Sequence, residues 1–250
     1  MLKTIYSFAA VLLLVFLSAC GGGGSSEFQK ATLDTIIRDL PDKQPWSIIL
    51  YDMNVDGTFF KEYQHRYKII TQNIEGNDTI PEETLTDWYE VPKSEFNANV
   101  DNMGMEIAHR DDKNELHKSV NPPGYGNYVG NTRYGHWVQR DGGSFWEFYG
   151  RYAFMSSMFN MMTYPVRRTY YDDYYTNYYR TGRSYYGPVT NGRAYYGTYS
   201  DYNRRQNTSS RWHSRSSNTR YAQRVNDRVS RSNSRYGSGS SRSRGGGFGK

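Results

Sequence analysis

The chain has 250 residues, 36% of them hydrophobic, with 31 Lys and Arg against 25 Asp and Glu for a net charge of +6. Its single cysteine excludes an internal disulfide and a thiolate zinc site, and its length allows one domain of ordinary size or two small ones. The net charge averages two unlike halves: residues 1–164 carry 14 basic against 21 acidic side chains, and residues 165–250 carry 17 against 4. Such asymmetry marks a basic tail joined to a folded part. A tail without Leu or Ile cannot bury enough apolar surface to offset the roughly 1–2 kcal/mol of backbone entropy lost per ordered residue.

The first element is a leader. Lys3, an apolar stretch from Ala9 to Leu17, and the small residues Ser18 and Ala19 precede Cys20, which is signal-peptide architecture and too short to span a membrane. The run Leu17-Ser18-Ala19-Cys20-Gly21 resembles the lipobox of bacterial lipoproteins. That resemblance implies diacylglyceryl transfer to Cys20, removal of residues 1–19, and acylation of the new amine. Each buried methylene contributes about 0.8 kcal/mol, so several acyl chains make a permanent anchor where one alone does not. Asp is absent after Cys20, where the family's inner-membrane retention signal begins, so the resemblance implies the outer membrane rather than the inner. Residues 20–26 hold the lipidated cysteine and a flexible Gly/Ser tether.

Residues 27–120 read as a small α+β module. Phe28, Leu33, Ile36, Ile37 and Leu40 fall at helical spacing before Pro41. Trp46 to Met53 is rich in strand formers, and Phe59 to Thr71 places Phe59, Lys61, Tyr63, His65, Tyr67 and Ile69 on one side. Asp56-Gly57 between them is a hairpin signal, because the pair accommodates positive φ. Weaker strands are predicted at Thr86 to Val91 and Met103 to Arg110, between loops containing Asn77, Pro81 and Pro92. The order fits a small antiparallel sheet with one or two helices.

Residues 121–163 combine Gly/aromatic loops with a second predicted helix, Phe145 to Met162, apolar nearly all round. Ser144 and Glu147 are spaced as a capping box for it. Core packing is its leading reading, with a lipid interface or a protein-docking surface as rivals. Residues 164–250 form the expected disordered tail of Tyr, Arg, Ser, Gly and Asn, ending in Arg/Ser/Gly low complexity from Ser230.

Sites of chemistry are sparse. Asp52-Met53-Asn54-Val55-Asp56-Gly57 reproduces the first half of an EF-hand calcium loop, but the twelfth position is Tyr63 and the flanks read as strands, so a hairpin turn is the better reading. His65, His109, His117, His136 and His213 show no helical ligand spacing, and no metal or cofactor is predicted. No nucleophile elbow or phosphate-binding Gly-rich loop with Lys is present, and no catalytic residue is assigned. His136, Trp137, Arg140 and Asp141 could line a pocket near residues 125–146, the basis of an alternative reading as an envelope hydrolase.

The lipobox, the run Gly143-Ser144-Phe145-Trp146 opening a Met-rich segment, and the ending Gly245-Gly246-Gly247-Phe248-Gly249 together resemble Gram-negative envelope lipoproteins without an established activity. The resemblance covers the leader, about twenty residues before Met162, and the extreme C-terminus; it implies compartment and architecture and adds no catalytic residue. The function expected is that of a non-enzymatic, membrane-anchored lipoprotein whose only assigned site is Cys20. Its partners are the bilayer, lipopolysaccharide or other anionic envelope polymers at the tail, and a protein at residues 145–162. Nucleic acid is disfavoured by location, and an assembly factor for a membrane complex is the remaining alternative.

Overall fold

Hydrophobic residues follow one another too densely in Trp46-Ser47-Ile48-Ile49-Leu50 for one face of a strand to carry them, so this segment must be covered on both sides. The computed structural model describes residues 32–57, 59–75, 78–190 and 192–217. The leader, Cys20, the 20–26 tether, the first residues of the predicted N-terminal helix and the stretch 218–250 lie outside them. Helix α1 (Leu33–Arg38) precedes strands β1 (Trp46–Asp56), β2 (Glu62–Glu75) and β3 (Asp78–Glu90); helix α2 (Lys93–Ala98) then leads into β4 (Glu106–Arg110) and β5 (Leu116–His117). The five strands form one antiparallel sheet in the order β3-β2-β1-β4-β5. The α+β class and the small antiparallel sheet predicted from sequence are therefore observed.

Of the three register shifts in this sheet, the two that involve β1 organise it. Between Leu50 and Asp52 the register of β1 against β2 slips by one residue, which reverses the alternation of side chains across the sheet. Ile48 and Leu50 before the slip, and Met53 and Val55 after it, consequently share one core with Ile36 and Ile37 of α1 and Phe96 of α2. Ile49 faces the opposite way, where it joins Ile70 under Tyr125, Tyr128, Tyr134, Trp146, Phe159, Tyr174 and Tyr185. Asp56 pairs with Glu62, and Gly57 takes φ +78 in the intervening turn, so the hairpin reading holds. Phe59, predicted on the apolar face of the second strand, instead lies with Phe60 in the loop, 95% and 90% exposed. β3 is longer than predicted because Pro81, read as a loop residue, is tolerated on an edge strand that has one free side.

The predicted helix from Phe145 to Met162 is corrected. Residues Gly143–Phe148 are strand β7, paired with β6 (Gly135–Arg140) across a two-residue turn at Asp141 and Gly142, whose φ values are +49 and +72. Asp-Gly is the preferred pair for that turn, and this local signal outweighs the apolar run that follows. Ser144 and Glu147 stand in the strand opposite Gln139 and His136, so no capping box forms. A 3-10 turn at Gly150–Tyr152 and the short helix α3 (Phe154–Met158) are the helical remnants. Trp146, Phe148 and Met155 are buried within the protein, which removes them as a docking surface.

The disordered tail is corrected for residues 164–217. Here the chain forms α4 (Arg168–Asn177), a 3-10 turn at Tyr179–Thr181, the hairpin β8 (Val189–Thr190) and β9 (Arg193–Ala194), and helices α5 (Asp201–Gln206) and α6 (Arg211–Ser217). Tyr supplies what Leu and Ile would have supplied. Each ring offers on the order of 150–250 Å² of surface to bury, provided its hydroxyl finds a partner. Tyr202 donates to the Phe159 carbonyl at 3.0 Å, Tyr185 to the Tyr170 carbonyl at 3.1 Å, and Tyr186 to Asn102 Oδ1 at 2.6 Å. Arg side chains of this segment lie over aromatic rings within the fold: Arg183 is 5.3 Å from the Tyr178 ring and Arg167 5.3 Å from that of Phe145.

Two outcomes test this packing. Tyr202→Ala should lower unfolding stability by about 3–5 kcal/mol in a urea titration, as for a large buried aromatic, whereas a disordered segment would register no change. Burial pushes His65 down to about 3. The unfolded chain binds a proton below about 6.5 and the folded protein does not, so stability falls as pH drops from about 6.5 toward 3, by at most about 5 kcal/mol. His65→Gln should flatten that acid limb in unfolding followed by Trp fluorescence.

Candidate functional site

The second bulge creates the most unusual polar constellation of the fold. Ser47 pairs with His109 and Ile48 with Ala108, but Ile49 pairs with Glu106, leaving Ile107 as the extra residue of β4. Without the slip, Glu106 and His109 would point to opposite faces; with it, both lie on the face of Ser47 and Ile49. Glu106 Oε1 stands 3.0 Å from His109 Nδ1, and both side chains are completely buried. Neither the Glu106 oxygens nor the His109 nitrogens find a hydrogen-bond partner of good geometry among the described residues. The Tyr128 and Tyr174 hydroxyls are likewise buried without one. Burial, and after it the charge of Glu106, pushes the Tyr174 phenol well above its ordinary range.

From His109 the constellation continues toward solvent. The turn between β4 and β5 is tied by the Asp111 N–H donating to the Glu115 carbonyl at 3.1 Å and by Asn114 at φ +69. Asp111 Oδ1 accepts from the N–H groups of Lys113 and Glu115 at 3.0 and 2.8 Å, which leaves Oδ2 directed at His117. His117 is the cross-strand partner of His109, and their rings stack at 4.7 Å with planes 16° apart. Around His117 Nε2 stand the Tyr179 hydroxyl at 3.4 Å, Asp111 Oδ2 at 3.5 Å and Glu115 Oε2 at 3.9 Å. One donor atom each from Asp111, Glu115 and His117 lies within 4.8 Å of the others, so this group is chemically able to hold a cation.

The sequence singled out other residues, and the structure disperses them. Cys20 is outside the described residues. Within the calcium-loop lookalike, Asp52 is buried and accepts from the Ser210 hydroxyl at 2.6 Å and the Arg211 N–H at 2.8 Å, fastening the start of α6. Asn54 Nδ2 donates to Gln64 Oε1 and Asp56 accepts from the Gly57 N–H, so the three side chains serve a distant helix, strand pairing and the turn and do not converge on one point. His136 stacks on Tyr149 at 5.2 Å, whereas Asp141 occupies the far end of the same hairpin. The surface depression of about 580 Å³ at that end is lined by Arg140, Asp141, Glu147 and Ser156 without His136. The hydrolase constellation is not assembled.

No family model, curated protein or solved structure matches the chain. The site therefore stands on its own geometry. Scanning the histidines for spacing along a helix missed it, because His109 and His117 meet across two strands. The available signal was the hairpin itself, with a left-handed Asn114 centred between alternating residues that end in Asp111 on one side and Glu115 and His117 on the other.

Gly126 closes the buried end of the site. A Cβ built there would lie 2.2 Å from Glu106 Oε1 and 2.7 Å from His109 Nδ1. Gly126→Ala should therefore cost about 1–3 kcal/mol by overpacking, read as a drop in Tm. Gly150→Ala, whose Cβ meets nothing within 4 Å, should leave Tm nearly unchanged.

Proposed function

We propose that this is a lipid-anchored protein of the bacterial cell envelope, held at the outer membrane through Cys20, with a binding rather than catalytic role exercised by its basic C-terminal segment. The observation that carries the reading is the position of the only cysteine, directly after the apolar leader and before a Gly/Ser run. The body described from residue 32 onward contributes a scaffold. Among the described residues no helix is long and apolar enough to cross a membrane.

Contacts within the described part of the basic half favour the residues beyond it as the binding segment. Arg167, Arg168 and Arg183 lie over Phe145, Trp137 and Tyr178, and Arg211 over Trp88 at 4.8 Å, so much of the cationic and aromatic content of residues 164–217 is engaged internally. Residues 218–250 hold eight Arg and Lys against one Asp. That stretch carries the proposed contact with lipopolysaccharide or another anionic envelope polymer, through the counterion-releasing attraction common to polyanions.

The mass of the purified mature protein tests the anchor: an N-terminal Cys20 bearing acyl chains is expected, and an unmodified thiol would overturn the reading. For the basic segment, deletion of residues 218–250 should abolish binding to lipopolysaccharide while leaving the Tm of the body intact. Raising salt from about 0.05 to about 0.5 M should weaken wild-type binding steeply. Salt-independent binding would refute the electrostatic mechanism.

A further inference from the structure

We infer that the β4–β5 hairpin is a binding site for a divalent first-row transition metal ion, zinc being the best match, with His117 Nε2, Asp111 Oδ2 and Glu115 Oε2 as protein ligands. Ligands about 2.0–2.2 Å from a tetrahedral zinc ion stand roughly 3.3–3.6 Å from one another. His117 Nε2 is 3.5 Å from Asp111 Oδ2 and 3.9 Å from Glu115 Oε2. These separations are at or beyond the limit of direct hydrogen bonds, so the three groups converge on a common point more than they bond to one another. Asp111 is held for this task, since the turn occupies its Oδ1 and leaves Oδ2 free for a ligand. Glu115 is exposed and can close by a side-chain rotation.

Behind the donors lies a second, independent observation. His109 and Glu106 are completely buried and without well-formed hydrogen bonds, and His109 is stacked directly on the ligand ring of His117. Glu106 thus places a carboxylate in the interior beneath two more carboxylates at the surface. Removing a charge from water is costly without a compensating partner. Among the described residues, only the His109 imidazole stands within reach of Glu106 as a partner, at 3.0 Å, while the basic residues flanking the hairpin turn elsewhere: Arg110 to Asp42 and the Trp46 ring, and Lys118 to Asp34. A divalent cation at His117 would offset that charge. A mixed imidazole and carboxylate set suits zinc and its neighbours over calcium or magnesium, which favour oxygen alone.

The test uses the full chain in detergent, stripped with chelator and titrated with zinc chloride, and separately with cobalt(II) chloride, whose visible absorption reports the geometry and ligand field of the bound ion. About one equivalent of zinc per chain should bind saturably and raise Tm, and magnesium should not compete. His117→Ala should weaken zinc affinity by more than the roughly 10–100-fold expected of a residue that only supports a ligand. Asp111→Asn should also weaken it while keeping Oδ1 for the turn, so its loss of binding cannot be ascribed to unfolding. Absence of a saturable equivalent overturns the proposal. So does wild-type affinity in Asp111→Asn together with an unchanged cobalt spectrum in His117→Ala.

Discussion

Burial of β1 on both faces is the constraint on which the rest of the structure depends. A strand in mid-sheet with apolar side chains on alternate sides needs two separate cores, and the chain supplies them from opposite ends of its composition. One face is closed by Ile36, Ile37 and Phe96, aliphatic and aromatic residues near in sequence to the sheet, with Trp212 arriving from far away. The other is closed by an aromatic layer from residues 125–185, in which Tyr outnumbers every other residue type. Asp52, at the bulge of β1, connects the two ends of the described chain by holding the first turn of α6 through Ser210 and Arg211.

Bulges do more here than bend strands. The slip in β1 keeps Met53 and Val55 in the same core as Ile48 and Leu50, and the slip in β4 brings Glu106 beside His109. Each is a one-residue displacement that reassigns every side chain beyond it to the other face. In the first case the result is packing. In the second it is a buried acid and imidazole under a surface trio of ligand-type groups, an arrangement that packing alone gives no reason to retain.

The polar interior and the aromatic layer are linked. Tyr128 and Tyr174 bring buried hydroxyls toward the charge of Glu106, and Tyr179 stands at both the His117 ring and the edge of the layer. The segment that composition marks as a tail is therefore one wall of the candidate metal site. The candidate hairpin site is thus built into the sheet and closed by the segment that follows it in the chain.

Local chemistry sufficed for α1, the Asp56-Gly57 hairpin and the strands β1 and β2, because spacing and turn residues act over a few positions and need no distant partner. The Asp141-Gly142 turn was equally local, but the apolar run after it masked the strand. Only the tertiary structure decided that residues 164–217 fold, since hydropathy grades Tyr as polar while a buried Tyr with a bonded hydroxyl packs as a hydrophobe. Only it decided, too, that Glu106, His109, Asp111, Glu115 and His117 meet. Their association rests on a bulge and a cross-strand register, which arise from the balance of two whole cores; the spacing of the residues themselves shows only the hairpin that carries Asp111, Glu115 and His117.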